Sequence, residues 1–121
     1  MPTPAADNAL LQGTLDALVL KTLSWGPRHG YAVARWIKSQ SDDLLSVEDR
    51  ALYLSLHRLE ERGWVESDWG LSENNRKARY YQLTAAGRRQ LKSETARLTR
   101  YAQSLFKVLG AAAWGAEGAG A

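Results

Sequence analysis

The stretch that decides the fold is Ser46–Leu91, SVEDRALYLSLHRLEERGWVESDWGLSENNRKARYYQLTAAGRRQL. It opens with Leu52, Leu56 and Leu59 at helical spacing, which predicts an amphipathic helix over about Val47 to Arg62. Ser46 and Asp49 stand where a capping box would start it, in a weaker variant that prefers Glu or Gln at the last position. Gly63 suits the left-handed residue that follows a helix end. From Trp64 to Trp69 the pattern changes to a period of two, Trp64, Glu66 and Asp68 against Val65, Ser67 and Trp69, which indicates a strand; Trp64 and Trp69 are expected to cover the junction between hairpin and helix. Gly70–Lys77 is rich in turn residues, and Ala78–Leu83 returns with the β-favouring Tyr80 and Tyr81. Thr84 is a good N-cap for a further helix. A helix followed by a hairpin with a positive tip is the layout of a winged helix-turn-helix.

Upstream, helix 1 is expected over about Leu10 to Ser24. Leu11, Leu15, Leu18 and Thr22 form one stripe, and Leu20 and Leu23 widen the apolar surface beyond it. So apolar a helix is usually buried on more than one side, so Leu11, Leu15 and Leu18 are read as touching a partner as well as the core. Trp25-Gly26-Pro27 ends it, because Gly and Pro both stop helices. Helix 2 is expected from Gly30 to about Ser41, with Tyr31, Val33, Ala34 and Ile37 inward. Downstream, Ala85–Leu109 forms one long helix of roughly 37 Å. Along it Leu91, Thr95, Leu98, Ala102, Leu105 and Leu109 repeat at alternating spacings of four and three, a heptad seam. A small domain rarely needs so long a helix for its own core, so the seam is read as a dimer interface.

The expected organisation is a disordered 1–8, a winged-helix DNA-binding domain over 9–84, a dimerisation helix over 85–109 and a flexible Gly/Ala tail over 110–121. The fold class is mostly α with a two-stranded β wing. At 121 residues the chain fits one domain. It has no cysteine, which excludes disulfides and thiolate metal sites. No apolar run approaches the roughly 20 residues of a membrane span, and the N-terminus lacks a signal-type basic region. These features point to a cytoplasmic protein with no membrane partner.

The net charge of +3 is unevenly placed: residues 1–73 hold 7 Lys/Arg and 11 Asp/Glu, whereas 74–109 hold 9 Lys/Arg and the single acid Glu94. Such asymmetry marks a nucleic-acid-facing side. With Leu52, Leu56 and Leu59 inward, helix 3 turns Arg50, Tyr53, Leu54, His57 and Arg58 outward, as the reading helix of a helix-turn-helix requires. Arg50 could pair with guanine, while the Tyr53 hydroxyl and Arg58 suit phosphates. Asn75, Arg76, Lys77 and Arg79 form the wing, whose cations suit a minor groove or adjacent phosphates. Arg28 and His29 precede helix 2, whose N-terminus could meet a phosphate. No catalytic constellation is present: the two histidines, His29 and His57, lie on separate elements, and no Gly-rich phosphate loop, HExxH or nucleophile elbow occurs. Neither a cofactor nor a metal is expected.

The segments LLQGTLDALVLKTLSWGPRHGYAVARWI (10–37), LYLSLHRLEERGWVESDWG (52–70) and RKARYYQLTAAGRRQL (76–91) resemble the PadR family of bacterial transcriptional regulators, in the same order. The single C-terminal helix is similar to the small PadR subfamily. The resemblance implies a homodimeric regulator, mostly a repressor, on a palindromic operator, and admits a small apolar or aromatic effector as a further partner. Two departures stand out. The family's usual Gly-Ser before Leu-Tyr and Pro after it are replaced by Arg50, Ala51 and Leu54. Leu98 replaces the Trp that sandwiches flat ligands in multidrug-binding relatives. The first departure leaves an alternative open, an effector-sensing or protein-interaction module with weakened operator binding.

Overall fold

The computed structural model describes residues 14–112 and 114. Residues 14–22 are helical (α1) and tighten into a 3₁₀ turn at Leu23–Trp25. There follow β1 (Arg28–His29), α2 (Gly30–Gln40), α3 (Asp49–Glu61), β2 (Val65–Leu71), β3 (Lys77–Leu83) and α4 (Ala85–Leu109). The expected regions 1–8 and most of the Gly/Ala tail lie outside the described residues, as does Leu11.

The core is drawn from α1 and its 3₁₀ turn, α2, α3 and the hairpin. Leu15, Val19, Leu20 and Leu23 meet Val33 and Ile37 of α2, Leu52, Leu56 and Leu59 of α3, and Val65, Tyr81 and Leu83 of the sheet. Leu15 is only 1% exposed, so it has no surface left for a second copy and drops out of the dimer contacts expected for helix 1. Leu18 is half-buried against the same core. Tyr31, expected inward, is 64% exposed. Within α2 it is Val33 and Ile37 that are buried, four apart, and Tyr31 lies off that line.

α3 starts at Asp49 with Glu48 as N-cap and no side-chain cap bond, so the weak Ser46–Asp49 capping box does not form. Its other end is firmly closed. Gly63, at φ 75°, donates to Glu60 O at 3.0 Å, and Trp64 N donates to Leu59 O at 3.0 Å, the paired bonds of a Schellman stop. Thr84 then ties that stop to α4: its hydroxyl donates to Gly63 O at 2.6 Å and accepts from Gly87 N at 3.0 Å. Gly87 sits so close that a Cβ there would lie 1.9 Å from Trp64 O. The base of the hairpin and the first turn of α4 are therefore one rigid joint.

The sheet has three strands in the order β1-β3-β2, one more than the sequence suggests. The extra strand is Arg28–His29, pairing Arg28 with Tyr81 and His29 with Tyr80. A two-residue strand carries no periodicity, and Gly-Pro-Arg-His-Gly reads as a turn. β2 and β3 pair without interruption from Val65↔Leu83 to Leu71↔Lys77, so the strands run beyond α3 and the loop shrinks to 72–76.

Candidate nucleic-acid interface

α3 presents Arg50, Tyr53, Leu54 and His57 to solvent, because the buried set Leu52, Ser55, Leu56 and Leu59 takes the opposite side. His57 Nε2 lies 3.7 Å from Glu61 Oε1, one turn on. Tyr53 is anchored at one edge: its ring lies over the start of α2, where a Cβ on Gly30 would come within 2.7 Å of the hydroxyl. Beside it, Tyr81 is buried in the core, and that burial pushes its phenol above the ordinary tyrosine value.

Arg58 departs from its expected role. Its guanidinium donates to Asp16 of α1, with Nη2 2.7 Å from Oδ1 and Nε 3.4 Å from Oδ2. The fully buried Ser55 donates to the same carboxylate at 2.6 Å. The hydrogen bond to Asp16 holds the Arg58 guanidinium above its usual pKa. Its charge is matched inside the chain, so Arg58 serves as a strut between α1 and α3 rather than as a free cation for phosphate.

The wing is built as tightly as the helix. Arg76 O accepts from Ser72 N at 2.8 Å, Ser72 O accepts from Asn75 N at 2.8 Å, and Asn75 takes a left-handed φ of 60°, which asparagine tolerates better than most residues. This turn leaves Arg76 exposed, with Lys77 beginning β3 beside it. Arg79 is partly neutralised: Nε donates to Ser67 Oγ at 2.9 Å and Nη2 lies 3.5 Å from Glu60 Oε2, while Ser67 donates to the same Glu60 oxygen at 2.6 Å. Glu60 thus ties both strands of the wing to α3.

Two aromatic residues belong to this surface that sequence reasoning assigned elsewhere. Trp69, expected to cover the junction between hairpin and helix, is mostly exposed, with Lys77 Nζ 5.2 Å and Arg79 Cζ 5.8 Å from its ring centre. Trp64 is the one that packs on the core. Tyr31 carries Arg35 at 5.0 Å over its ring. The signal that could have placed Trp69 is register: it shares a face of β2 with Val65 and Ser67, but lies beyond the reach of α3. Tyr31, Tyr53, Trp69, Ser72, Lys77 and Arg79 line one open cleft of about 440 Å³ between the helices and the wing. α3 and the wing therefore meet on one side of the molecule.

Arg28 and His29 lie at the rim of this surface. His29 Nδ1 accepts from Ala32 N at 3.2 Å and so caps α2 itself, occupying a donor that a phosphate would have used. Arg28 is exposed and donates to Pro27 O at 2.8 Å. Among the described residues no group of three or more His, Cys, Asp or Glu could hold a metal ion, and no helix is long and apolar enough to cross a membrane.

A helix-turn-helix whose second helix turns Arg50 and His57 outward, followed by a hairpin with a cationic tip, defines a winged-helix DNA-binding protein. The chain belongs to the transcriptional regulator PadR-like family, whose profile matches residues 19–93; this is a family of regulators rather than of enzymes. It is similar to a PadR family transcriptional regulator from Eggerthella lenta, at 31% identity and a TM-score of 0.69 over 87% of this chain and 89% of that one. It is similar to a transcriptional regulator from Clostridium thermocellum, at 25% identity and a TM-score of 0.74 over 82% and 96% of the two chains. A PadR-like regulator from Bacillus cereus shares the fold, with a TM-score of 0.73 at 20% identity over 85% and 98%.

Proposed function

We propose that the chain is a dimeric repressor that seats α3 in the major groove of a palindromic operator and holds the flanking backbone with the wing. The observation that carries this reading is the shared cleft, which puts Tyr53 of α3 and Lys77 of the wing on one surface. Arg50, near the start of α3, is the base reader, with Leu54 and His57 beside it. Leu54 is half exposed on that face, and an apolar side chain there suits a thymine methyl group. Tyr53, Asn75, Arg76 and Lys77 contact phosphate and sugar, with Arg28 at the rim.

The dimer is supported by α4, whose second half leaves Leu105, Phe106, Val108 and Leu109 exposed, with Leu91, Leu98 and Ala102 half-buried in line with Leu105 and Leu109. An unpaired apolar face of this size calls for a partner helix. Two copies would set their reading helices about 34–36 Å apart, one turn of duplex. Repression then follows from occupancy of the promoter.

The test is a gel shift against the DNA upstream of the chain's own gene, at two salt concentrations with nonspecific competitor. Wild type should bind specifically and lose affinity steeply with salt. Arg76→Ala with Lys77→Ala should weaken all sequences alike and lower the salt slope by about 2. A salt slope unchanged by the pair would remove the wing from the contact surface.

A further inference from the structure

The operator-facing surface uses few of the chain's cations. Six of the nine Lys and Arg in residues 74–109 lie on α4: Arg88, Arg89, Lys92, Arg97, Arg100 and Lys107. Two of them are engaged: Arg88 donates to Ser24 O at 3.3 Å, and Arg97 pairs with Glu94 at 2.6 Å. Arg89, Lys92, Arg100 and Lys107 are exposed and form no ion pair among the described residues. At about 100° per residue these four fall within about 60° of one line along the helix. The line runs for about 27 Å. The residues between them on this face are Ser93, Ala96, Gln103 and Ser104, all exposed. The apolar seam through Leu98 and Leu105 lies on the opposite side, so whatever covers the seam leaves the basic face open.

This face is not an extension of the wing. α4 begins at the base of the hairpin, after Leu83, whereas the wing tip is at the other end of β2 and β3. Nor does its chemistry suit the alternatives. A protein interface has an apolar or aromatic centre and is depleted in lysine, whereas the middle of this face holds nothing apolar larger than alanine, and Phe106 lies exposed at its edge, in an open cleft with Arg100, Gln103, Ser104 and Lys107. A membrane-surface helix needs its apolar side free to enter the lipid, and here that side is the seam. Cations spaced along a rod, with small and hydrogen-bonding residues between them and one aromatic ring at the edge, suit a phosphate backbone. A duplex carries one charge per about 1.7 Å of its axis, so a face of this length meets several phosphates in any register.

We propose that the Arg89–Lys92–Arg100–Lys107 face of α4 is a second, sequence-independent surface for duplex DNA, able to hold another DNA segment while α3 and the wing occupy an operator. It shares its partner with the proposed function but none of its residues, so the two can fail separately.

The experiment compares four proteins: wild type, the wing variant Arg76→Ala/Lys77→Ala, the face variant Arg89→Gln/Lys92→Gln/Arg100→Gln/Lys107→Gln, and their combination. Glutamine keeps helix propensity close to that of Arg and Lys, and circular dichroism and sedimentation confirm that each is folded. The probe is a labelled random-sequence duplex, followed by anisotropy at about 50 and about 200 mM salt. The face variant should lose about tenfold or more in affinity at the lower salt, with a salt slope lower by about 3–4 per chain. The combination should show both losses. Arg89→Lys with Arg100→Lys should bind as wild type does, because the attraction is to charge. Wild type held on an immobilised duplex should capture a second, labelled duplex, and the face variant should not. A face variant that binds like wild type, or a combination that binds like the wing variant alone, overturns the proposal. So does a face variant with unchanged duplex binding that loses retention on polyglutamate, which would assign the face to an acidic protein. A loss in the face variant with none in the wing variant would sustain this surface and strike the wing from the operator contacts.

Discussion

Asp16 of α1 and Arg58 of α3 are joined by two hydrogen bonds, and Ser55 gives the same carboxylate a third. The proposed reading helix is thereby locked to the first helix of the chain by a partly buried charge pair. Arg58→Ala should lower stability by about 1–2 kcal/mol, toward the low end for a charged hydrogen bond because the pair is part exposed. Asp16→Asn should cost less, since its amide oxygen can still accept from Ser55. Urea denaturation of both variants and their double should show coupling between them. The operator salt slope should stay unchanged in Arg58→Ala. A stability-neutral Arg58→Ala whose slope falls by about 1 would return Arg58 to the phosphate contacts.

Glu60 governs the wing in a similar way. It accepts from Ser67 and stands 3.5 Å from the Arg79 guanidinium, so the charge of Arg79 is partly cancelled. Glu60→Gln keeps an acceptor for Ser67 and releases that charge. Sequence-independent affinity should rise, and the salt slope should steepen by up to about 1 per chain. Weaker binding at an unchanged slope would mean that Glu60 acts by holding the wing in position and not by masking Arg79.

The architecture was legible because its punctuation is chemical. Gly63 and Thr84 mark helix boundaries through a left-handed φ and a hydroxyl cap, and α4 runs Ala85–Leu109 as its residue pattern predicts. The pairing of the cations was not legible. Arg58 and Arg50 look alike on a helical wheel. What separates them is Asp16, 42 residues from Arg58 in the sequence, and only the tertiary fold brings it there. Leu15 and Leu18 likewise share a stripe, yet α1 buries one completely and the other only partly. Trp69 was misplaced because alternation assigns a side chain to a face of the sheet without saying how far the helix beneath extends.

Gly87 is the tightest steric point among the described glycines. Ala there would improve intrinsic helix propensity by about 1 kcal/mol. Its Cβ would, however, stand 1.9 Å from the Trp64 carbonyl oxygen, a backbone atom held by its own bond from Thr84 N at 3.1 Å. The clash decides the sign. Gly87→Ala should destabilise the protein by about 3 kcal/mol, the upper end for overpacking. A thermal melt at or above the wild-type midpoint would show that α4 can swing away from the hairpin base, and that the joint is softer than its geometry implies.

The seam on α4 makes the sharpest demand on the proposed dimer. Leu98 is half-buried and Leu105 is 43% exposed within one chain, so neither is needed at full burial for the protomer's own core. Glutamate at both positions should therefore leave the winged-helix unit folded, while a helix pair formed across the seam would have to bury unpaired carboxylates. The dimer dissociation constant should rise by at least about 100-fold, or roughly 2.7 kcal/mol. Operator binding should fall with it, because two half-sites must then be filled independently. Sedimentation equilibrium read against circular dichroism separates the outcomes. A folded monomer with weakened operator binding places the interface on this seam. A folded dimer would move it to α1, where Leu18 remains half-buried, and would leave the exposed leucines of α4 for a different partner.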